Sequence, residues 1–235
     1  MADDVWERLR DALEHEQRGV LLTVVAGEGT GAKLLLLENG DRVGEASLAG
    51  YAEGVAANRT VEAEGRTVLV EIVGPPLRLV VFGAVDVAES LCAIARVLGW
   101  HTIVVDPRKG LATRERLPSP DELVVAWPDA LPEGLIDERT AVVSLVHEQR
   151  IDVPAMAAAL AANAFYVGAL GSKRAQEKRR AGLEQLGAGD GFERISGPVG
   201  IEIGAETPAE IAVSIAAEIV ARMRGAIGAP ETPRR

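Results

Sequence analysis

The residues YVGALGSKR, 166–174, run an apolar stretch into two glycines, a serine and two cations. Gly168 and Gly171 allow the backbone to turn, Ser172 suits a helix N-cap, and Lys173 and Arg174 set positive charge beside exposed helix N–H groups. Such a turn is suited to an anion. The plainer alternative is a solvated helix face, because Lys173, Arg174, Lys178, Arg179 and Arg180 make a run of charge. The chain uses lysine at only four positions, 33, 109, 173 and 178, and the place of this one, at the carboxyl end of a strand beside a sheet crevice, favours the anion.

A second turn could bind a nucleotide. A βαβ unit that grips a pyrophosphate needs glycines where the first strand bends into its helix. In FGAVDVAES, Gly83 supplies the tight bend, but Val85 stands where a second glycine would admit the phosphate, and Asp86 repels it. Asp106 follows Gly83 by 23 residues, about where a ribose-binding acid is expected, and Arg108 could take an adenosine phosphate. His147 closes an apolar run and could act as a general base, an orienting donor or a ligand; it is the one candidate catalytic residue. Gly197, Gly200 and Gly204 precede a well-signalled helix, so that segment either closes over a ligand with its backbone or forms a short edge strand. Cys92, inside an apolar helical stripe, reads as packing.

These residues need a scaffold, and the hydrophobic pattern supplies one. Residues 3–18 carry Val5, Trp6, Leu9 and Leu13 at helical spacing. Strand candidates follow at 19–27, 32–40 and 67–73, with a short partner near Val43, which makes residues 1–74 a small α+β domain. The Pro75–Pro76 pair breaks the pattern. Beyond it, apolar runs at 77–83, 100–108, 122–128, 140–147 and 164–171 read as strands, with helices at 86–99 and 152–163. Alternation of this kind implies a doubly wound parallel sheet over 77–225, an α/β, Rossmann-like domain. Thr207, Pro208 and Glu210 spell a capping box at the start of the last helix. Residues 226–235 read as a flexible tail.

Composition narrows the function. With 235 residues and a formal net charge of −10, the surface repels phosphate backbones, and nucleic acid is not an expected partner. One cysteine and three separated histidines leave no basis for a structural metal site. No apolar run spans a bilayer and the N-terminal residues are acidic, so neither membrane insertion nor a secretory signal is expected, and the chain reads as cytoplasmic.

In order, RLVVFGAVDVAESL, VVDPR, VVAWP, SLVHEQRID, FYVGALGSKR and GPVGIEIGAETPAEIAVSIAAEIVA resemble the XdhC/CoxI family, the accessory proteins of xanthine dehydrogenase and related molybdenum hydroxylases. The likeness is dense over 77–224. It implies a small N-terminal domain followed by a Rossmann-like domain. It also implies a dimeric chaperone that binds molybdenum cofactor (molybdopterin), supports its sulfuration with a cysteine desulfurase and delivers it to the apo-hydroxylase. The anion at Gly171, Ser172, Lys173 and Arg174 would then be a cofactor phosphate or a nucleotide. Tyr51, two residues before Glu53, stands where the family commonly has a cysteine, and Val85 and Asp86 stand where it usually has Gly and His. Two other readings remain: an NAD(P)-linked oxidoreductase with Asp106 or Arg108 on the ribose and His147 as acid/base, and a ligand-free protein-interaction scaffold.

Overall fold

The computed structural model describes residues 2–15, 17–52 and 58–227. Glu53 and most of the expected tail lie outside the described residues. The chain divides into two compact units, Met1–Pro75 and Pro76–Arg235.

The first unit contains α1 (Ala2–Glu14), β1 (Gly19–Gly27), β2 (Lys33–Leu37), β3 (Arg42–Gly44), a 3-10 helix (Ala46–Ala52), β4 (Arg59–Ala63) and β5 (Arg66–Val73). Its antiparallel sheet has the order β3-β2-β1-β5-β4. Side chains alternate across the pleat, so Leu21, Leu35 and Leu37 meet Val5, Leu9 and Ala12 of α1. Leu22, Val24, Leu34, Val68 and Val70 cluster on the other face with Leu48 of the 3-10 helix. Val5, Leu9 and Ala12, at i, i+4 and i+7, form the buried line. Trp6 and Leu13, expected in that stripe, are exposed instead, and the Lys33 ammonium lies 5.0 Å from the Trp6 ring centroid.

β4 is an element the hydrophobic pattern misses, because its exposed RTVEA sequence has no apolar run. The local signal for it is Glu64–Gly65. Both residues have positive φ, 54° and 72°, and join the paired Ala63 and Arg66 as a two-residue hairpin loop. Tyr51 lies beside this hairpin, its hydroxyl 3.4 Å from the Ala63 carbonyl.

The second unit contains β6 (Arg78–Phe82), α2 (Asp86–Val97), β7 (His101–Val105), β8 (Glu122–Val124), β9 (Thr140–Ser144), α3 (Gln149–Ala161), β10 (Tyr166–Ala169), α4 (Lys173–Gln185), a 3-10 helix (Gly189–Arg194), β11 (Ile195–Ser196) and α5 (Pro208–Met223). Every pairing in its six-stranded sheet is parallel, in the order β11-β10-β9-β6-β7-β8. The sheet is buried on both faces, which is why its central strands read as unbroken apolar runs. Leu79, Val81, Val104 and Val143 pack with Leu91, Cys92 and Ala95 of α2 and Ile215 and Ile219 of α5. Val80, Phe82, Ile103, Val105 and Val142 pack with Ile151 and Met156 of α3 and Leu183 of α4.

The strands end level. Phe82 pairs with both Val105 and Ser144, Val105 with Val124, and Ser144 with Ala169. β8 therefore stops at Val124 rather than continuing to Pro128, and β9 stops at Ser144 rather than at His147. Beyond this line a strand has no neighbour to complete its ladder. From β6 the chain winds outward to β7 and β8; from β9 it winds the other way, to β10 and β11. The loops after β6 and β9 thus diverge at a topological switch point, where open α/β sheets place ligands.

Candidate functional site

The turn after β6 is built around Gly83. Its φ is +115°, and a Cβ there would stand 2.7 Å from the Val146 side chain, so both backbone shape and space demand glycine. The next amide, Ala84 N–H, donates to the Asp106 carboxylate at 2.8 Å, and Val85 N–H donates to the Gly83 carbonyl at 3.1 Å. Val85 occupies the N-cap of α2 with no side-chain cap, and Asp86 is exposed. Two amides that would face a pyrophosphate are therefore closed within the protein.

Asp106 is fully buried. One carboxylate oxygen accepts Arg108 N–H at 2.9 Å and Arg108 Nε at 2.8 Å; the other accepts Arg108 Nη2 at 2.6 Å as well as Ala84. Burial alone would raise its pKa, but the bonds from the Arg108 side chain and from the Ala84 and Arg108 amides outweigh it and hold the group below the usual range. Both oxygens are engaged, so the carboxylate expected on a ribose instead fastens the first turn to the end of β7. Arg108 keeps part of its guanidinium outward, the side chain being 43% exposed.

His147 lies three residues past the end of β9 and is exposed. It and Gly171 come together: a Cβ on Gly171, whose φ is +127°, would stand 3.4 Å from His147 Nδ1. Glycine leaves room for the imidazole. Ser172 is the N-cap of α4 by position, and its carbonyl accepts Ala175 N–H at 2.9 Å and Gln176 N–H at 3.1 Å. Its side chain makes no capping bond, contrary to the expected role, and its hydroxyl has no partner among the described residues. Arg174 is exposed; the side chain of Lys173 lies outside the described atoms.

The charge run in α4 is not one solvated face. Arg179 is 1% exposed and is the largest fully buried side chain among the described residues. It pairs with Asp152 of α3, Nε to carboxylate at 2.7 Å, and Nη2 also donates to the Leu170 carbonyl. Ser144, at the end of β9, donates its hydroxyl to the other Asp152 oxygen. Burial pushes the Asp152 carboxyl up, against the pull of Ser144 and Arg179. Gln176, one turn earlier and also buried, donates Nε2 to the Ala169 carbonyl at 3.2 Å. Two consecutive carbonyls of the β10–α4 connection are thus held by the helix that follows them. Neither Arg179 nor Gln176 stood out in the sequence, although Gln176, Arg179 and Leu183 share the i, i+3, i+7 spacing of an inward line. Arg180 points outward, to Glu193 at 2.7 Å.

The remaining glycines divide. A Cβ on Gly168 would lie 2.8 Å from the Tyr166 hydroxyl and run into the Val199 side chain; on Gly200 it would collide with Ser214 Oγ. At both positions close packing leaves no room for a side chain. Gly200 N–H and the Tyr166 hydroxyl both donate to Glu218 of α5, which anchors the segment after β11. Gly204, with φ +72°, sits in an open turn with its N–H on the Glu202 carboxylate at 3.2 Å. Residues 197–206 form neither a strand nor a helix, so the short edge strand offered for them does not form; β11 ends just before them, at Ser196.

The Cys92 thiol is buried, and burial, reinforced by the nearby Glu89 charge, pushes its pKa up to about 12. Among the described residues no group of three or more His, Cys, Asp or Glu is placed to hold a metal ion, and no described helix is long and apolar enough to cross a membrane.

A parallel sheet wound in both directions from a central switch point, with a glycine turn at its carboxyl edge, places the second unit among the Rossmann-type domains. The family model for the XdhC Rossmann domain matches residues 79–219. The chain belongs to the XdhC family. Its relatives include a probable xanthine dehydrogenase subunit of Bacillus subtilis, 32% identical over 64% of this chain and 44% of that protein. Another is the "molybdenum cofactor insertion chaperone PaoD" of Escherichia coli, 29% identical over 62% of this chain and 40% of that protein. The chain thus spans less than half the length of these relatives. A crystal structure from Bacillus halodurans, described as a xanthine dehydrogenase, shares the fold with a TM-score of 0.73, 24% identity, and coverage of 94% of this chain and 67% of that one.

Proposed function

We propose that this protein is an accessory factor for a molybdenum hydroxylase of the xanthine dehydrogenase or CO dehydrogenase type, which receives an anionic cofactor or nucleotide at the β10–α4 turn and hands it on. The observation that carries the reading is the family match over 79–219, which contains every element that builds that turn. The name borne by the Escherichia coli relative, a cofactor insertion chaperone, supports the same direction. Cooperation with a cysteine desulfurase, a homodimeric state and a cytoplasmic setting belong to this reading as further proposals.

The residues fit the phosphorylated part of a molybdenum cofactor. Gly171 opens the turn, Ser172 offers its hydroxyl, and the first N–H groups of α4 add to the Lys173 and Arg174 charges at a position where a helix favours anions. His147 stands beside Gly171 as a further donor. The molybdenum centre itself, when bound, supplies the redox chemistry used by the client enzyme. This chain gives it no available thiolate, because Cys92 is the sole cysteine and lies in the core, and position 51, where the resemblance would put a cysteine, is a tyrosine. Its residues hold and orient. The closed Ala84 amide and the occupied Asp106 carboxylate speak against the dinucleotide-dependent oxidoreductase.

The test is calorimetric titration with molybdopterin released from a molybdoenzyme, followed by activation of an apo-hydroxylase. Binding should be abolished in the Lys173→Ala/Arg174→Ala double variant. Unchanged affinity would return the run to a solvated helix start, and no binding by the unaltered protein would remove the reading.

A further inference from the structure

Trp127 lies three residues beyond the carboxyl end of β8 and is 41% exposed, whereas Trp100, the other tryptophan of the second unit, is buried. The Arg150 guanidinium, on the second residue of α3, lies 5.1 Å from the Trp127 ring centroid. A guanidinium over an indole gives an aromatic and cationic surface of the kind on which heteroaromatic rings stack.

Its surroundings decide between a shielded tryptophan and a binding surface. Arg150 belongs to the short segment 147–150 that also carries His147, which reaches Gly171, and Glu148, whose charge acts on Arg108. Arg108 is held as a fork by Asp106 through Nε and Nη2, which leaves Nη1 with no partner among the described residues. One segment therefore links the anion turn, a donor on Arg108, an acceptor on Glu148 and the Trp127–Arg150 pair. A planar ring with amino and carbonyl groups on its edge matches that set of donor, acceptor and stacking face.

We infer that Trp127 and Arg150 form a stacking platform for the nitrogen heterocycle, a purine or a pterin, of a phosphorylated ligand whose anionic end occupies the β10–α4 turn. The inference rests on the proposed anion site and adds the residues that would hold the ring.

Calorimetry and tryptophan fluorescence with inorganic pyrophosphate, ADP and neopterin monophosphate test it. The heterocyclic probe that binds tighter than pyrophosphate identifies the ring source, and its binding should quench fluorescence. Trp127→Phe should abolish the quench while keeping affinity within about threefold. Trp127→Ala should weaken the same probe by about tenfold or more, as expected when a base loses its aromatic stacking partner, yet leave pyrophosphate binding unchanged. Arg150→Ala, at a different exposed position, should weaken the heterocyclic probe as well, which guards against a folding artefact in the tryptophan variants. Equal affinity of Trp127→Ala for the heterocyclic probe, or pyrophosphate binding as tightly as both rings, overturns the platform and leaves the anion site standing. No binding of any probe by the unaltered protein overturns both.

Discussion

Two ion pairs stand at the carboxyl edge of the second sheet: Asp152 with Arg179, buried on both sides, and Asp106 with Arg108, a buried carboxylate holding a partly exposed guanidinium. Asp106 fastens Arg108 and the Ala84 amide, and its lowered pKa has a definite consequence for stability. A carboxylate whose folded pKa lies below its unfolded value of about 3.9 stabilises the fold above that value and loses the contribution as pH falls through the folded pKa. Urea unfolding should therefore show the unaltered protein losing stability more steeply below about pH 4 than Asp106→Asn, which at pH 7 should be less stable by about 1–3 kcal/mol. Arg179 offers a sharper case. Arg179→Met leaves the Asp152 carboxylate buried without its cation and frees the Leu170 carbonyl, so it should cost about 3–5 kcal/mol in the same measurement. Arg180→Met, on the solvent side of the same helix, should stay within about 0.5 kcal/mol.

Among the elements, α5 shows how local sequence settles a boundary. Thr207 Oγ1 accepts Glu210 N–H at 3.3 Å while the Glu210 carboxylate accepts Thr207 N–H at 2.9 Å, the reciprocal pair that the spacing anticipates. Thr207→Ala should destabilise the protein by about 1 kcal/mol, measured by thermal or urea unfolding, without altering ligand affinity. α4 shows the opposite. Its composition reads as a charged surface helix, yet its inward line is Gln176, Arg179 and Leu183, and only the carbonyls of Ala169 and Leu170 together with Asp152 make that line favourable. Likewise β8 and β9 end where their neighbours end, a limit that no single strand's apolar run records.

For the whole molecule, each of the four hydrophobic clusters is confined to one of the two units: two within Met1–Pro75 and two within Pro76–Arg235. A fragment beginning at Pro76 keeps both of its clusters and all the residues of the candidate site. It should unfold in a single cooperative transition and retain helix and strand signatures by circular dichroism; a non-cooperative melt would show that its core depends on the first unit.

The amino-acid sequence by itself determined the alternation of strands and helices after Pro76, the α+β character of what precedes it, the cap at Thr207 and the anion-friendly composition of Gly171 to Arg174. Those features rest on near-neighbour chemistry: apolar periodicity, backbone freedom at glycine and hydrogen bonds within a turn or two. Only the tertiary structure decided that Asp106 is taken up by Ala84 and Arg108, that Gly168 and Gly200 pack against Val199 and Ser214, and that Arg179 is interior. It alone also set Arg150 on Trp127. Most of these contacts join residues far apart in the chain, and the burial of a charge is set by which partners the fold brings within hydrogen-bond reach, a quantity that spacing along the chain does not encode.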